Sequence, residues 1–104
     1  MIEPKPKTVV ELFEGHPERW TRNANARTHR WMEICRPNDP RAVCWCALGA
    51  ILFVYDGGDV QTQFRKIEKI LESWGLHSSS ITSFNDSPYR SFNEILKLLK
   101  EAGV

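Results

Sequence analysis

The sequence predicts a mainly α-helical protein, which would be classed as α+β if a small hairpin near residues 20–35 forms. Two observations lead to this class: apolar residues recur at helical spacing in several segments, and helix-capping residues precede those segments. With 104 residues, of which 41% are hydrophobic, the chain can build one modest core but not two. We therefore expect a single globular domain over residues 1–104, with about four helices around a buried central helix.

The first helix is predicted to be short. Thr8 can act as its N-cap, and Glu11 stands three residues later, which completes a capping box. Gly15 and Pro17 then follow, and these residue types end helices.

Residues 20–35 are expected to form either a small hairpin or a loop. Residues 23–26 have the Asn-Ala-Asn-Ala sequence of a turn, so we place the turn of the hairpin there, between two extended pieces. Residues 31–35 mix β-prone side chains with weak alternation, which favours the extended conformation.

The central helix is predicted to run from Pro40 to about Tyr55. Asp39 would be its N-cap, and proline is favoured at the first helical position. The second half is apolar nearly all round, so this helix should be the most buried one. Asp56 and the two glycines after it would end the helix.

Two amphipathic helices are predicted in the second half of the chain. Asp59 would cap the first of them, whose apolar residues recur at i, i+3 and i+4 positions. Residues 78–86 form a Ser-rich connector, which we expect to be a loop. Ser91 and Glu94 form a second capping box, and Gly103 would end the last helix.

The charge is close to neutral overall but unevenly distributed. The formal net charge is +1, which by itself predicts no class of partner. Between Arg19 and Arg41 there are six arginines against two acidic residues, a local excess of +4. Nucleic-acid binding usually needs a denser basic stripe than this.

The cysteine count and the hydropathy indicate a cytoplasmic protein outside the membrane. Three cysteines make an odd number, and no secretory segment opens the chain, so we expect reduced thiols. The longest apolar run, from Ala47 to Tyr55, is about half of what a bilayer span needs.

A thiol nucleophile is one candidate for chemistry. Cys44 or Cys46, followed by His77 and then Asn85 or Asp86, has the chain order of papain-like thiol enzymes. A catalytic thiol is best placed at a helix N-terminus, whereas the predicted central helix puts both cysteines further along. Buried, unreactive cysteines are therefore the favoured interpretation.

No metal or cofactor is expected. Cys44 and Cys46 are separated by one residue, which is not the usual spacing of zinc ligands, and no matching pair of ligands follows.

Two further groups of residues have both a structural and a functional interpretation. Asn85 and Asp86 lie among turn-forming residues and would either lock a loop or line a polar pocket, with Asp86 as a lone acid. Arg27, Arg30 and Trp31 would form either an ordinary polar surface or a basic, aromatic surface of the kind that binds single-stranded nucleic acids.

Two motifs resemble those of an uncharacterised family, a domain of unknown function in small bacterial and phage proteins. They are a Trp-Cys-Ala-Leu-Gly-Ala helix, here Trp45 to Ala50, and an aromatic-Asn-Asp turn, here Phe84 to Asp86. A Trp-Thr pair before a polar hairpin, here Trp20-Thr21, is similar too. The family tends to have Trp where Phe84 stands. The resemblance implies no activity, but it does imply that five residues belong to one site or one structural cluster: Trp45, Cys46, Gly49, Asn85 and Asp86.

The favoured function is a non-enzymatic interaction or regulatory module, such as a phage or mobile-element accessory protein that binds a host macromolecule, with a protein as the expected partner. The sequence leans away from an enzyme because it has no strong catalytic motif. One alternative is a small-ligand-binding protein or thiol enzyme using Cys46 with Asn85 and Asp86. Another is a weak nucleic-acid binder through the Arg-rich hairpin. The expected binding residues are Trp45, Cys46, Asn85, Asp86, Arg27, Arg30 and Trp31.

Overall fold

The computed structural model describes residues 4–29, 33–76 and 80–104, which contain five α-helices and a small three-stranded sheet. This architecture confirms the prediction of a mainly α-helical protein with a small β-hairpin. The elements in chain order are α1 (Val9–Phe13), a 3₁₀ turn (Pro17–Arg19), β1 (Ala26–Arg27), β2 (Ile34–Cys35), β3 (Cys44–Trp45), α2 (Ala47–Val54), α3 (Gly58–Ser73), α4 (Ile81–Asp86) and α5 (Phe92–Ala102).

Helix α1 begins where the sequence predicts. The Thr8 hydroxyl accepts a hydrogen bond from the backbone N–H of Glu11 at 3.1 Å. The Glu11 carboxylate in turn accepts from the N–H of Lys7 at 2.9 Å, one residue before the cap. The helix is followed by Gly15, whose φ of +79° is a conformation that glycine adopts without strain.

The sheet contains the expected hairpin, but its turn lies elsewhere. Strands β1 and β2 pair antiparallel, with Ala26 opposite Cys35, and β3 pairs with the other edge of β1. The turn predicted at residues 23–26 is wrong, because Ala26 is itself a paired, buried strand residue. The polar residues before Ala26 bend the chain into β1, and the hairpin connection follows Arg27 instead.

The predicted start of the central helix is also wrong. Asp39 caps only a local turn, in which its carboxylate accepts from the N–H of Arg41 at 2.8 Å. The chain then becomes extended: the N–H of Val43 donates to the carbonyl of Arg27 at 2.9 Å, and Cys44 begins β3. Pairing with β1 thus satisfies backbone groups that the predicted helix would have used internally.

Helix α2 is nevertheless the buried central helix. Its N-cap is Cys46, and five of its eight residues are buried. It packs against α1 on one side and against α3 and α4 on others. The stacked rings of Trp45 and Phe53, 4.7 Å apart, join the end of β3 to this helix.

Helices α3 and α5 are amphipathic as predicted and pack against each other. Helix α3 begins after Gly57 rather than after Asp59, which stands in its first turn. Ser91 and Glu94 form both bonds of the predicted capping box, and Gly103 ends α5 in the left-handed conformation. No helix among the described residues is long and apolar enough to cross a membrane.

Helix α4 replaces the loop predicted for residues 78–86. Ser80 and Ser83 form a capping box, so the serines that suggested a loop are helix-capping residues. Phe84 and Asn85 are both buried on this short helix, and packing of α4 against α2 and α3 provides stabilisation that local propensity lacks.

Gly49 marks a close approach between α2 and the segment before β1. A Cβ atom at this position would lie 1.8 Å from the backbone carbonyl oxygen of Asn25. The structure shows that the absence of a side chain lets the backbone of Asn25 lie directly against the helix.

We predict that Gly49→Ala lowers the free energy of unfolding by at least about 3 kcal/mol, because backbone atoms must move to admit the new methyl group. The matched control is Gly58→Ala, where nothing lies within 4 Å of an added Cβ. It should change stability by no more than about 0.5 kcal/mol. Urea unfolding followed by circular dichroism measures both, and equal effects in the two variants would contradict the prediction.

Candidate functional site

The side-chain amide of Asn85 joins three separate parts of the chain. Its Oδ1 accepts from the indole Nε1 of Trp20 at 2.7 Å and from the backbone N–H of Ala47 at 2.9 Å. Its Nδ2 donates to the carbonyl of Thr21 at 3.1 Å and to Oδ1 of Asp86 at 2.9 Å. The residue is 0% exposed, and the four bonds use every hydrogen-bonding position of the amide. We call these five residues the Asn85 cluster.

Asp86, at the end of α4, forms a further hydrogen bond to the segment before β1. Its Oδ1 also accepts from the backbone N–H of Asn23 at 2.9 Å. Asn23 has a φ of +64°, a left-handed conformation that asparagine tolerates better than most residues. The sequence suggested that Asn85 and Asp86 bond nearby backbone groups, whereas the backbone groups that they bond lie 38 to 64 positions away.

Cys46 is enclosed next to this cluster. Its Sγ accepts from the backbone N–H of Gly49 at 3.2 Å and donates to Oδ1 of Asn25 at 3.8 Å. The predicted position within a helix was wrong, because Cys46 is the N-cap of α2. Burial raises the pKa of the thiol; the Gly49 bond opposes this, and the negative charge of Asp86 raises the pKa further. Only 3% of the residue is exposed, so the geometry suits a packed, protonated thiol.

Besides Asn85 and Asp86, the sequence offered Cys44 and His77 as candidates for thiol chemistry. Cys44 lies in β3 and is 0% exposed. His77 lies outside the described residues. In the ranges 4–29, 33–76 and 80–104, no group of three or more His, Cys, Asp or Glu side chains is placed to hold a metal ion.

Trp45 is a core residue. Its side chain is 0% exposed and stacks on Phe53, and its Nε1 donates to the carbonyl of Pro37 at 2.9 Å. The indole therefore holds the connection between β2 and β3 in place, and a partner at the protein surface has no access to it.

A groove of about 440 Å³ is lined in part by Trp20. Its volume falls in the range of small-molecule sites. Of its lining residues, only Arg27 was expected from the sequence to take part in binding. The Trp20-Thr21 pair and the arginine count of the segment were the sequence features that pointed to this region. We call it the arginine groove, and it is lined by Pro17, Trp20, Thr21, Arg22, Asn23, Arg27 and Phe92.

Both arginines of the groove are anchored. The guanidinium of Arg22 lies over the Trp20 ring, 4.6 Å from its centroid, and donates through Nη2 to the carbonyl of Arg90. Its Nε is buried and has no hydrogen-bond partner among the described residues. Arg27 donates through Nε to the Thr21 hydroxyl and through Nη2 to the carbonyl of Arg22, both at 3.2 Å.

The groove combines positive charge with aromatic surface. Within the ranges 4–29, 33–76 and 80–104, none of the residues that line it is acidic. The rings of Trp20 and Phe92, which lie 6.0 Å apart at an angle of 49°, form its apolar part. Such a lining can bind an anion through the guanidinium groups and a flat apolar group against the rings.

The seven binding residues expected from the sequence thus separate into three groups. The structure brings Trp45, Cys46, Asn85 and Asp86 close to one another around the start of α2. It places Arg27 in the arginine groove. The two that complete the set, Arg30 and Trp31, lie outside the described residues.

Comparison with known proteins identifies a family but no activity. A family model described as a family of unknown function (DUF6197) matches residues 16–103. This match confirms the expectation of an uncharacterised family. No curated protein and no solved structure matches the chain.

We predict that Asp86→Ala lowers the free energy of unfolding by about 1–3 kcal/mol, since it leaves the Asn85 amide and the Asn23 N–H without an acceptor. Asp86→Asn should cost less than about 1 kcal/mol, because its carbonyl oxygen can still accept both bonds. Thermal and urea unfolding measure the two variants. A parent-like stability for Asp86→Ala would show that these bonds do not hold the loop.

We predict that iodoacetamide at pH 7 modifies Cys46 slowly in the folded protein and rapidly in denaturant, because the thiol is buried and its pKa is raised. Labelling should accelerate as the pH rises towards that raised pKa. Cys35, which is only partly buried, should react first. Mass spectrometry of a Cys35→Ser variant follows the other two thiols. Rapid labelling of Cys46 at pH 7 without unfolding would support the thiol-enzyme alternative instead.

Proposed function

Because this chain belongs to the DUF6197 family, for which no function is assigned, we propose a function from its own geometry: it is a non-enzymatic binding module whose arginine groove takes an anionic group of a partner. One observation carries the proposal. Arg22 and Arg27 line a groove to which no acidic residue contributes among the residues that the structure describes.

Anchoring of the two guanidinium groups supports this function. Free arginine side chains lose much rotamer entropy when they bind a ligand. Arg22 is already stacked on Trp20 and bonded to a backbone carbonyl, and Arg27 is held by two hydrogen bonds. These side chains are therefore ordered before a ligand binds, and less side-chain entropy is lost on binding. Guanidinium groups also form the strongest hydrogen bonds to carboxylate and phosphate oxygens.

The thiol-enzyme alternative has less support. A catalytic cysteine must be accessible and largely deprotonated. Cys46 is almost fully enclosed, and its pKa is raised rather than lowered. Its bonds to Gly49 and Asn25 give the thiol a structural role at the start of α2.

The setting of this module is part of the proposal. Cys35 and Cys46 are free thiols, which supports a reducing compartment such as the cytoplasm. An accessory role in a phage or mobile element rests on the resemblance of the two sequence motifs alone. The sequence favoured a protein partner; the lining of the groove also suits a nucleic acid, for which the sequence offered the Arg-rich hairpin.

We expect the protein to be retained on immobilised heparin, a polyanion, and to be eluted by added salt. Arg27→Gln should weaken binding about tenfold, because it removes one charge-assisted contact while keeping an N–H donor. Arg36→Gln removes the same charge from an exposed residue outside the groove lining and is the matched control.

The comparison is made at equal net charge, with unfolding curves to verify that both variants are folded. Equal retention of the two variants would indicate a diffuse charge effect and contradict a site in the groove. Absence of retention for the parent protein would argue against the proposed function itself.

A further inference from the structure

We propose that the ligand of the arginine groove is a nucleotide unit, with its phosphate on the two guanidinium groups and its base against the aromatic rings. This inference rests on the proposed function and names the class of ligand. The shared chemistry is a phosphate ester joined to a flat ring, and two sources can supply it: a free mononucleotide or a single-stranded nucleic acid.

The aromatic part of the groove favours a nucleotide over an acidic protein segment. Trp20 and Phe92 line the same groove as the arginines, with ring centroids 6.0 Å apart. Aspartate and glutamate side chains would engage the guanidinium groups but have no flat surface to cover the rings. A base has a π face whatever its identity, so it can stack there without sequence preference.

The guanidinium groups and the aromatic rings lie close together in the groove. Arg22 is within 4.6 Å of the Trp20 ring centroid, and Arg27 is joined to the backbone carbonyl of Arg22 at 3.2 Å. Positive charge and ring surface are thus adjacent, as phosphate and base are within one nucleotide. The buried Nε of Arg22 has no hydrogen-bond partner among the described residues.

A second hollow on the surface differs from the arginine groove in its charge. That hollow, about 380 Å³, is lined by Trp74, Arg90, Glu94 and Lys97, so it also combines an aromatic ring with cations. There, however, Glu94 pairs with Arg90 at 3.0 Å and offsets its charge. In the described part of the chain, the residues that line the arginine groove include no such carboxylate.

The test uses the full chain and three probes in fluorescence polarisation. The first probe is a fluorescein-labelled single-stranded deoxyadenosine decamer, the second is adenosine monophosphate as a competitor, and the third is a labelled glutamate decamer. We expect the oligonucleotide to bind more tightly than the peptide. Competition by the mononucleotide would identify a free nucleotide as a sufficient ligand. Binding of the decamer without such competition would identify the strand as the source. Both results support the inference.

Two variants separate the contributions of ring and charge. Phe92→Leu should weaken oligonucleotide binding about 5- to 150-fold, the usual range for loss of one stacked base. Phe64→Leu, the same change at a partly buried phenylalanine of α3 outside the groove, should leave binding unchanged. For a strand contacted by two arginines, log Kd should vary with log salt with a slope of magnitude about 1.4, falling to about 0.7 in Arg27→Gln.

Failure of this inference differs from failure of the proposed function. Binding of the glutamate decamer as tightly as the oligonucleotide, with Phe92→Leu unaffected, would overturn the nucleotide and leave an anion-binding module in place. If Arg27→Gln and Phe92→Leu both bind the oligonucleotide as tightly as the parent protein does, the site lies outside the groove and the inference is wrong. If neither probe binds and heparin does not retain the protein, both proposals are wrong.

Discussion

The fully satisfied amide of Asn85 is the constraint on which much of this structure depends. One buried side chain bonds the Trp20 indole, the Thr21 carbonyl and the first N–H of helix α2. Each of these groups is a hydrogen-bonding group that would cost about 1–3 kcal/mol if it were buried without a partner. The position of α4, the course of the chain before β1 and the start of α2 are therefore fixed together.

The residues beside Asn85 make the same arrangement possible by their size and shape. Gly49 lets the backbone of Asn25 lie against α2, and the small thiol of Cys46 caps that helix within the space that remains. Trp45 lies in the core next to Cys46, and its indole N–H holds the connection between β2 and β3 by donating to the Pro37 carbonyl. The motif from Trp45 to Ala50 is thus explained by packing.

The arginine groove is the outer face of this arrangement. Trp20 belongs to both: its indole N–H bonds Asn85 inside, and its ring carries the Arg22 guanidinium outside. Thr21 likewise bonds Asn85 through its carbonyl and Arg27 through its hydroxyl. Buried hydrogen bonds therefore position the charged groups of the groove, which would limit the entropy lost if the groove binds an anion as proposed.

The sequence by itself determined the elements whose signals are local. Helices α1, α3 and α5 follow from apolar periodicity and from capping residues such as Thr8 and Ser91, because caps and periodicity act within one or two turns. The helix start predicted at Asp39-Pro40 was wrong because the same carboxylate-to-backbone hydrogen bond occurs both in turns and at helix starts. Only pairing of the next residues with β1 decided between them.

Asn85 and Asp86 were recognised as hydrogen-bonding residues, but their partners could not be predicted. Those partners lie 38 to 65 positions away, and such contacts exist only once the tertiary structure has brought the segments together. The arginine groove depends on the same contacts, so the tertiary structure alone decided where it lies.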